Sequence, residues 1–226
     1  VLIVAARADR TGALVASGRV RYRGTPVTFA SIADGAHAVS ALTGGKVVAS
    51  LIGTGPELHA CDIHEPSVRW IAASHPQIRA IVSPFDPPLP YADGTFDLPW
   101  ASSVLTHIDA VRQEAWFGEW ARVVRPGGIV LATFNGPTQA ARLAGARSIP
   151  EEVPGAAEGK GTVFLQYDTS GNFSRDFHGT SEAYGDTFNS QARIRELAQG
   201  AGFEVHELVP DAVWDQQDCA ILRRAA

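Results

Sequence analysis

The chain contains no methionine and only two cysteines, and it has no long apolar run and no block of like charge. Each absence removes a class of protein. A membrane-crossing helix needs about 20 consecutive, predominantly apolar residues, so none is expected. Cys61 and Cys219 are too few for a disulfide framework and lack metal-ligand spacing. Both lie in apolar runs, LHACDI and DCAIL, where a thiol behaves as a small buried hydrophobe. Thiols of that kind fit a reducing cytoplasm. The opening VLIVAARADR is too short an apolar run for a signal peptide, and no basic residue precedes it. The formal net charge is −5. Neutralising phosphates takes surplus Lys and Arg, so nucleic acid is not an expected partner and a small molecule is. The G-x-G-x-x-G fingerprint of a dinucleotide site is missing too, which argues against a nicotinamide-dependent oxidoreductase.

What is there reads as a globular α/β chain. The 226 residues are 45% apolar and 19% charged, neither disordered nor membrane-like, and enough for one sizeable α/β domain with a well-buried core, or for one domain plus an appendage. From about His37 onward, short apolar runs alternate with helical stretches, the pattern of a sheet with crossover helices. Strands are expected at His37–Leu42, Glu57–Cys61, Ile78–Ile81, Phe96–Ser102, Gly128–Phe134, Phe203–Val209 and Asp218–Leu222. Helices are expected at Lys46–Leu51, Pro66–Ser74, Val111–Val124 and Ser190–Ala201. In Val111–Val124 the residues Val111, Ala115, Trp116, Trp120 and Val123 recur at spacings of three and four, predicting one buried face. Arg125-Pro126-Gly127-Gly128 then ends the helix. The short connection from Val209 to Asp218, with Pro210 in it, predicts that the last strand returns antiparallel beside its predecessor. Residues 1–36 suggest only two short strands, Gly18–Tyr22 and Pro26–Ala30, about the turn at Arg23-Gly24-Thr25.

Three stretches carry a family resemblance. Leu89-Pro-Tyr-Ala-Asp-Gly-Thr-Phe-Asp97 resembles the approach to strand four of class I S-adenosylmethionine-dependent methyltransferases. Ala101-Ser-Ser-Val-Leu-Thr-His-Ile108 resembles the loop after that strand, and Arg122-Val-Val-Arg-Pro-Gly-Gly-Ile-Val-Leu131 the turn into strand five. The resemblance implies a Rossmann-like doubly wound sheet with an antiparallel last strand, spanning residues 37–226. It implies S-adenosyl-L-methionine as cofactor and methyl transfer to an O, N or C nucleophile of a small molecule. It also implies site residues. Asp62 would accept the ribose hydroxyls, or else cap the helix that follows. Ile63 and Phe85 would face the adenine. Asp86 would meet its exocyclic amine, or serve only as a turn residue between prolines. Ser102 and Ser103 would lie beside the sulfonium and the acceptor. His107 would take a proton from the acceptor, or be purely structural.

The chain also departs from the pattern. Where such enzymes carry D-x-G-x-G-x-G, this chain reads Val39-Ser-Ala-Leu-Thr-Gly-Gly-Lys46, leaving Gly44 and Gly45 as the remnant that would meet the cofactor's methionine end. Pro99 falls in an expected central strand, where it removes a ladder donor. These departures keep open a methyltransferase-like binding domain that has lost the cofactor loop and does no catalysis. Asn135–Asn189 is a long insertion rich in Gly, Ser and aromatics. Phe164, Tyr167, Phe173, Phe177, His178, Tyr184 and Phe188 there would line an acceptor pocket, or pack the insertion onto the sheet.

Overall fold

In the computed structural model of the protein, the residues described are 57–166, 184–213 and 216–226, together with the backbone of four strands within 2–28. The expected strand at 37–42, the expected helix at 46–51, the pair Gly44 and Gly45, and the aromatics Tyr167, Phe173, Phe177 and His178 lie outside them.

The first strands are β1 (Leu2–Arg7) and a meander of β2 (Leu14–Ala16), β3 (Arg19–Tyr22) and β4 (Thr25–Thr28). Then come β5 (Glu57–Asp62), α1 (Glu65–Ser74), β6 (Ile78–Val82), β7 (Leu98–Ser102), α2 (Ala110–Val123) and β8 (Ile129–Phe134). The insertion holds α3 (Pro137–Gly145), α4 (Val153–Lys160) and the antiparallel pair β9 (Thr162–Gln166) and β10 (Gly185–Asn189). The chain closes with α5 (Gln191–Gly200), β11 (Phe203–Val213) and β12 (Gln217–Arg224). No helix among the described residues is long and apolar enough to cross a membrane.

Seven strands form the main sheet in the order β11-β12-β8-β7-β1-β5-β6. β5 runs parallel to β6 and β7 parallel to β8. β12 is antiparallel to both β8 and β11, so the expected return of the last strand is observed. β8, Ile129–Phe134, is buried at every position, as an unbroken apolar run between two covered faces should be.

The centre of the sheet carries a feature that the sequence did not reveal. β1 fills the position between β5 and β7 and is antiparallel to both: Leu2 lies opposite Asp62 on one side and Ser102 on the other. Pro99 lies outside the β7–β8 ladder, which pairs only Trp100 with Leu131 and Ala101 with Ala132, and stands opposite Ala5 of β1 on the other side.

α2 corrects the expected buried face. Trp116, Trp120 and Val123 are buried, joined by Gln113, Phe117 and Glu119, but Val111 is 76% exposed and Ala115 is exposed too. The stripe is set by the largest rings, and a valine in the first turn lies outside it. The insertion has a small core of its own, with Phe188 packed among Ala140, Val153 and Ala157.

Candidate active site

Parallel strands of a doubly wound sheet present their carboxyl ends to ligands, and the singled-out residues of β5 and β7 meet on that rim. Asp62 ends β5 and Ser102 ends β7. Both pair with Leu2 of the intervening strand, so their backbones stand two strand spacings, roughly 10 Å, apart. Asp62 is 1% exposed. Its Oδ1 accepts the N–H of His64 at 2.8 Å, and His64 is the N-cap of α1. One carboxylate oxygen is thus committed to the turn into the helix, and Ile63 lies half-buried within that turn.

Beyond Ser102 the chain turns through Ser103, whose φ of 54° is a left-handed conformation that non-glycine residues rarely adopt. Three contacts fix it. The Ser103 N–H donates to Thr133 Oγ1 at 2.8 Å, and Ser103 Oγ lies 3.2 and 3.0 Å from Oε1 and Nε2 of the Gln217 amide. Beside Gln217, Asp218 is buried and accepts the N–H of Asp211 at 3.0 Å. Burial pushes its carboxyl above the ordinary range.

His107 follows in the same loop. Its Nδ1 lies 3.0 Å from the carbonyl of Gly185 and 3.9 Å from Asp186 Oδ1. The Tyr184 ring stacks on the imidazole, centroids 5.0 Å apart and planes 13° from parallel. Burial lowers the His107 pKa, opposed by the Gly185 carbonyl and the Asp186 charge. Burial also raises the Tyr184 phenol, and the charges of Asp62 and Asp186 add to that.

Phe85 lies 6.5 Å from Tyr184, centroid to centroid, and carries the Arg112 guanidinium 5.3 Å above its ring. Asp86 is engaged differently from the sequence expectation. It accepts from Arg112 Nε at 3.0 Å and is largely exposed. Arg112 is placed by Asp109, which accepts the Arg112 N–H at 2.9 Å as the N-cap of α2 and pairs with its guanidinium.

Six of the nine candidates, Asp62, Ile63, Phe85, Ser102, Ser103 and His107, therefore stand on this rim or on the loops leaving it. Asp86 stands at its margin, and Gly44 and Gly45 lie outside the described residues. Sequence reasoning passed over Thr133, Gln217, Gly185 and Asp186, because polar residues at strand ends have no periodicity to mark them. Tyr184 stood among the insertion aromatics expected to line an acceptor pocket or to pack the insertion onto the sheet, and its ring stacks on His107.

Two of the stretches that carry the resemblance lie at the opposite rim. Gly94 N–H donates to Arg122 O and Phe96 N–H to Val123 O, while Arg125 N–H donates to Phe96 O. Arg122 ties Asp93 to Glu119, and buried Glu119 accepts the Leu89 N–H at 2.7 Å. LPYADGTFD and RVVRPGG thus form one clasp at the entrance of β7 and β8. Only the third stretch, Ala101–Ile108, reaches the site.

Residues 40–132 match the family model described as a methyltransferase domain. Among solved structures, an S-adenosylmethionine-dependent methyltransferase of Methanosarcina mazei is similar, with 15% identity over 73% of this chain and 80% of its own, at a TM-score of 0.52. A protein of Pyrococcus horikoshii is 18% identical over 80% of this chain and 76% of its own, with a TM-score of 0.54. The 1,6-didemethyltoxoflavin N1-methyltransferase of Burkholderia thailandensis is 13% identical over 79% and 65%, with a TM-score of 0.52. At these identities the likeness is one of fold.

Proposed function

We propose that this protein, whose residues 40–132 match the methyltransferase-domain family model on a class I methyltransferase fold, uses S-adenosylmethionine to transfer a methyl group to an O, N or C nucleophile of a small molecule. The observation that carries the reading is the convergence of a buried carboxylate, Asp62, and an imidazole, His107, on the carboxyl rim, with Tyr184 stacked on the imidazole and its phenol raised in part by the charge of Asp62.

The donor set fits the nucleoside half of the cofactor. Asp62 is an acceptor of the kind that vicinal hydroxyls need, and Ile63 and Phe85 are the apolar groups for a purine. Ser102 and Ser103 stand at the sulfonium end of this arrangement, and Gly44 and Gly45 are assigned to the methionine end by resemblance alone. When bound, the cofactor supplies an electrophilic methyl on a sulfonium. The protein's own work is alignment and exclusion of water. Ser103, fixed by Thr133 and Gln217, offers a hydroxyl of defined direction to the acceptor. His107, neutral because burial lowers its pKa, accepts the acceptor's proton.

One observation favours a second reading, a binding domain without catalysis. β1 leaves the sheet at Arg7, opposite Glu57, on the rim away from Asp62. In an all-parallel arrangement the turn after the central strand would arrive beside Asp62 and bring the glycine loop with it.

Calorimetric titration with S-adenosylhomocysteine, wild type beside Asp62→Ala, separates the two. The methyltransferase reading expects a Kd on the order of 1 μM, about −8 kcal/mol, lost in the variant. Folded wild-type protein that binds nothing would leave the second reading standing.

A further inference from the structure

We infer that the return strand of the insertion, β10, is a positioning element for the chemistry: through Gly185 it fixes His107 as the Nδ1–H tautomer, so that the imidazole's lone pair resides on Nε2. The inference rests on the proposed function only for the use made of that lone pair.

The geometry leaves one assignment. A carbonyl oxygen has no proton to give, so the 3.0 Å contact between His107 Nδ1 and Gly185 O requires the proton to sit on Nδ1. In a neutral ring the remaining lone pair is then on Nε2. The two residues also grip each other in the other direction, for the Gly185 N–H donates to the His107 carbonyl at 3.1 Å. Next along β10, the Thr187 N–H donates to Thr106 O at 2.8 Å and Thr187 Oγ1 donates to Ile108 O at 2.7 Å. The loop residues on both sides of His107 are therefore held by the same strand. Tyr184, at the start of it, covers one face of the imidazole and restricts its rotation.

Gly185 is itself placed from behind. A Cβ there would stand 2.2 Å from Leu165 O and 2.8 Å from the Phe164 ring. β9 thus presses directly against the residue that faces His107, and no side chain fits between them. Asp186 is the competing anchor, since its carboxylate lies 3.9 Å from the same nitrogen. That distance exceeds a hydrogen bond, so the carbonyl, and not the charge, holds the proton in place.

Long-range proton–nitrogen NMR of 15N-labelled, cofactor-free protein at pH 7 tests this. The His107 signals are identified among the seven histidines by their loss in His107→Gln. The expected result is a proton-bearing shift at Nδ1 and a lone-pair shift at Nε2. The opposite tautomer, or the averaged shifts of a freely exchanging ring, would overturn the inference. Asp186→Asn should leave the tautomer unchanged; a switch to Nε2–H would transfer the anchoring to the carboxylate and refute the role of Gly185. Gly185→Ala, where it folds, should move His107 toward averaged shifts while the other six histidines stay put. An unmoved His107 would equally refute it. Because no cofactor is present, a failed S-adenosylhomocysteine titration and a wrong tautomer remain separate results.

Discussion

At the level of single side chains, the rim combines groups whose protonation is set by burial. His107 is the clearest case, and its sign can be worked through. The folded protein holds its pKa below the ordinary value of 6.5, whereas the unfolded chain titrates near that value. Between the two, the unfolded state binds more protons, so stability rises with pH across the window. The contribution is present in full above about 6.5 and is lost as pH falls through the folded value. Denaturant midpoints measured from pH 7 downward should show this slope, and His107→Gln should flatten it. A variant with the wild-type slope would mean that another group is responsible. Much of this residue-level picture was legible. Asp62, Ser102 and His107 were placed on one rim from motif order alone, because strand ends are fixed once strands are. Gln217 and Gly185 were not, since what brings them to Ser103 and His107 is tertiary pairing across 114 and 78 residues.

Between elements, the contact of α3 with β12 is unusually close. Gly136 is the N-cap of α3, and a Cβ added to it would lie 2.0 Å from Asp218 Oδ2. Asp218 is itself buried and fixed by the bulge at Asp211. Neither side can give easily, so Gly136→Ala should cost about 1–3 kcal/mol as an overpacking change. A double-mutant cycle with Asp218→Ala should recover a good part of it. Additive effects would show that the clash is relieved elsewhere. Elements with strong periodicity were read nearly to their ends: α5 was expected at 190–201 and runs over Gln191–Gly200. α2 was found in length but not in face, because counting apolar positions weights Val111 and Ala115 equally with Trp116 and Trp120. The helices of the insertion escaped notice. α4 reads Val-Pro-Gly-Ala-Ala-Glu-Gly-Lys, poor in helix formers, and tertiary packing of Val153 and Ala157 overrides that.

Taken as a whole molecule, the sheet depends on a strand for which the sequence offered no fold. β1 pairs along its length with β5 and nearly so with β7, and these two strands meet only through it. Val4 stands mid-strand, opposite Ala60 and Trp100. Proline there removes a ladder donor from a central position, and Val4→Pro should cost about 3 kcal/mol or more. The expected observation is a large fall in melting temperature or loss of soluble protein. A variant that melts like the wild type would show that these residues do not hold the sheet together. Periodicity could not have exposed this strand. LIVAAR reads as apolar and short, and nothing local fixes whether such a segment runs with or against its neighbours.

The clasp at the entrance of β7 and β8 has a consequence for how such chains diversify. Two of the three stretches by which this chain is recognised hold two strands in register on the rim away from the candidate site. The candidate site residues sit on strand ends, on the loop after β7 and on the insertion. Most of what marks this chain is thus written away from the candidate site, and only the loop after β7 belongs to both. A lineage could exchange one acceptor for another, or abandon methyl transfer altogether, without altering a letter of either clasp motif.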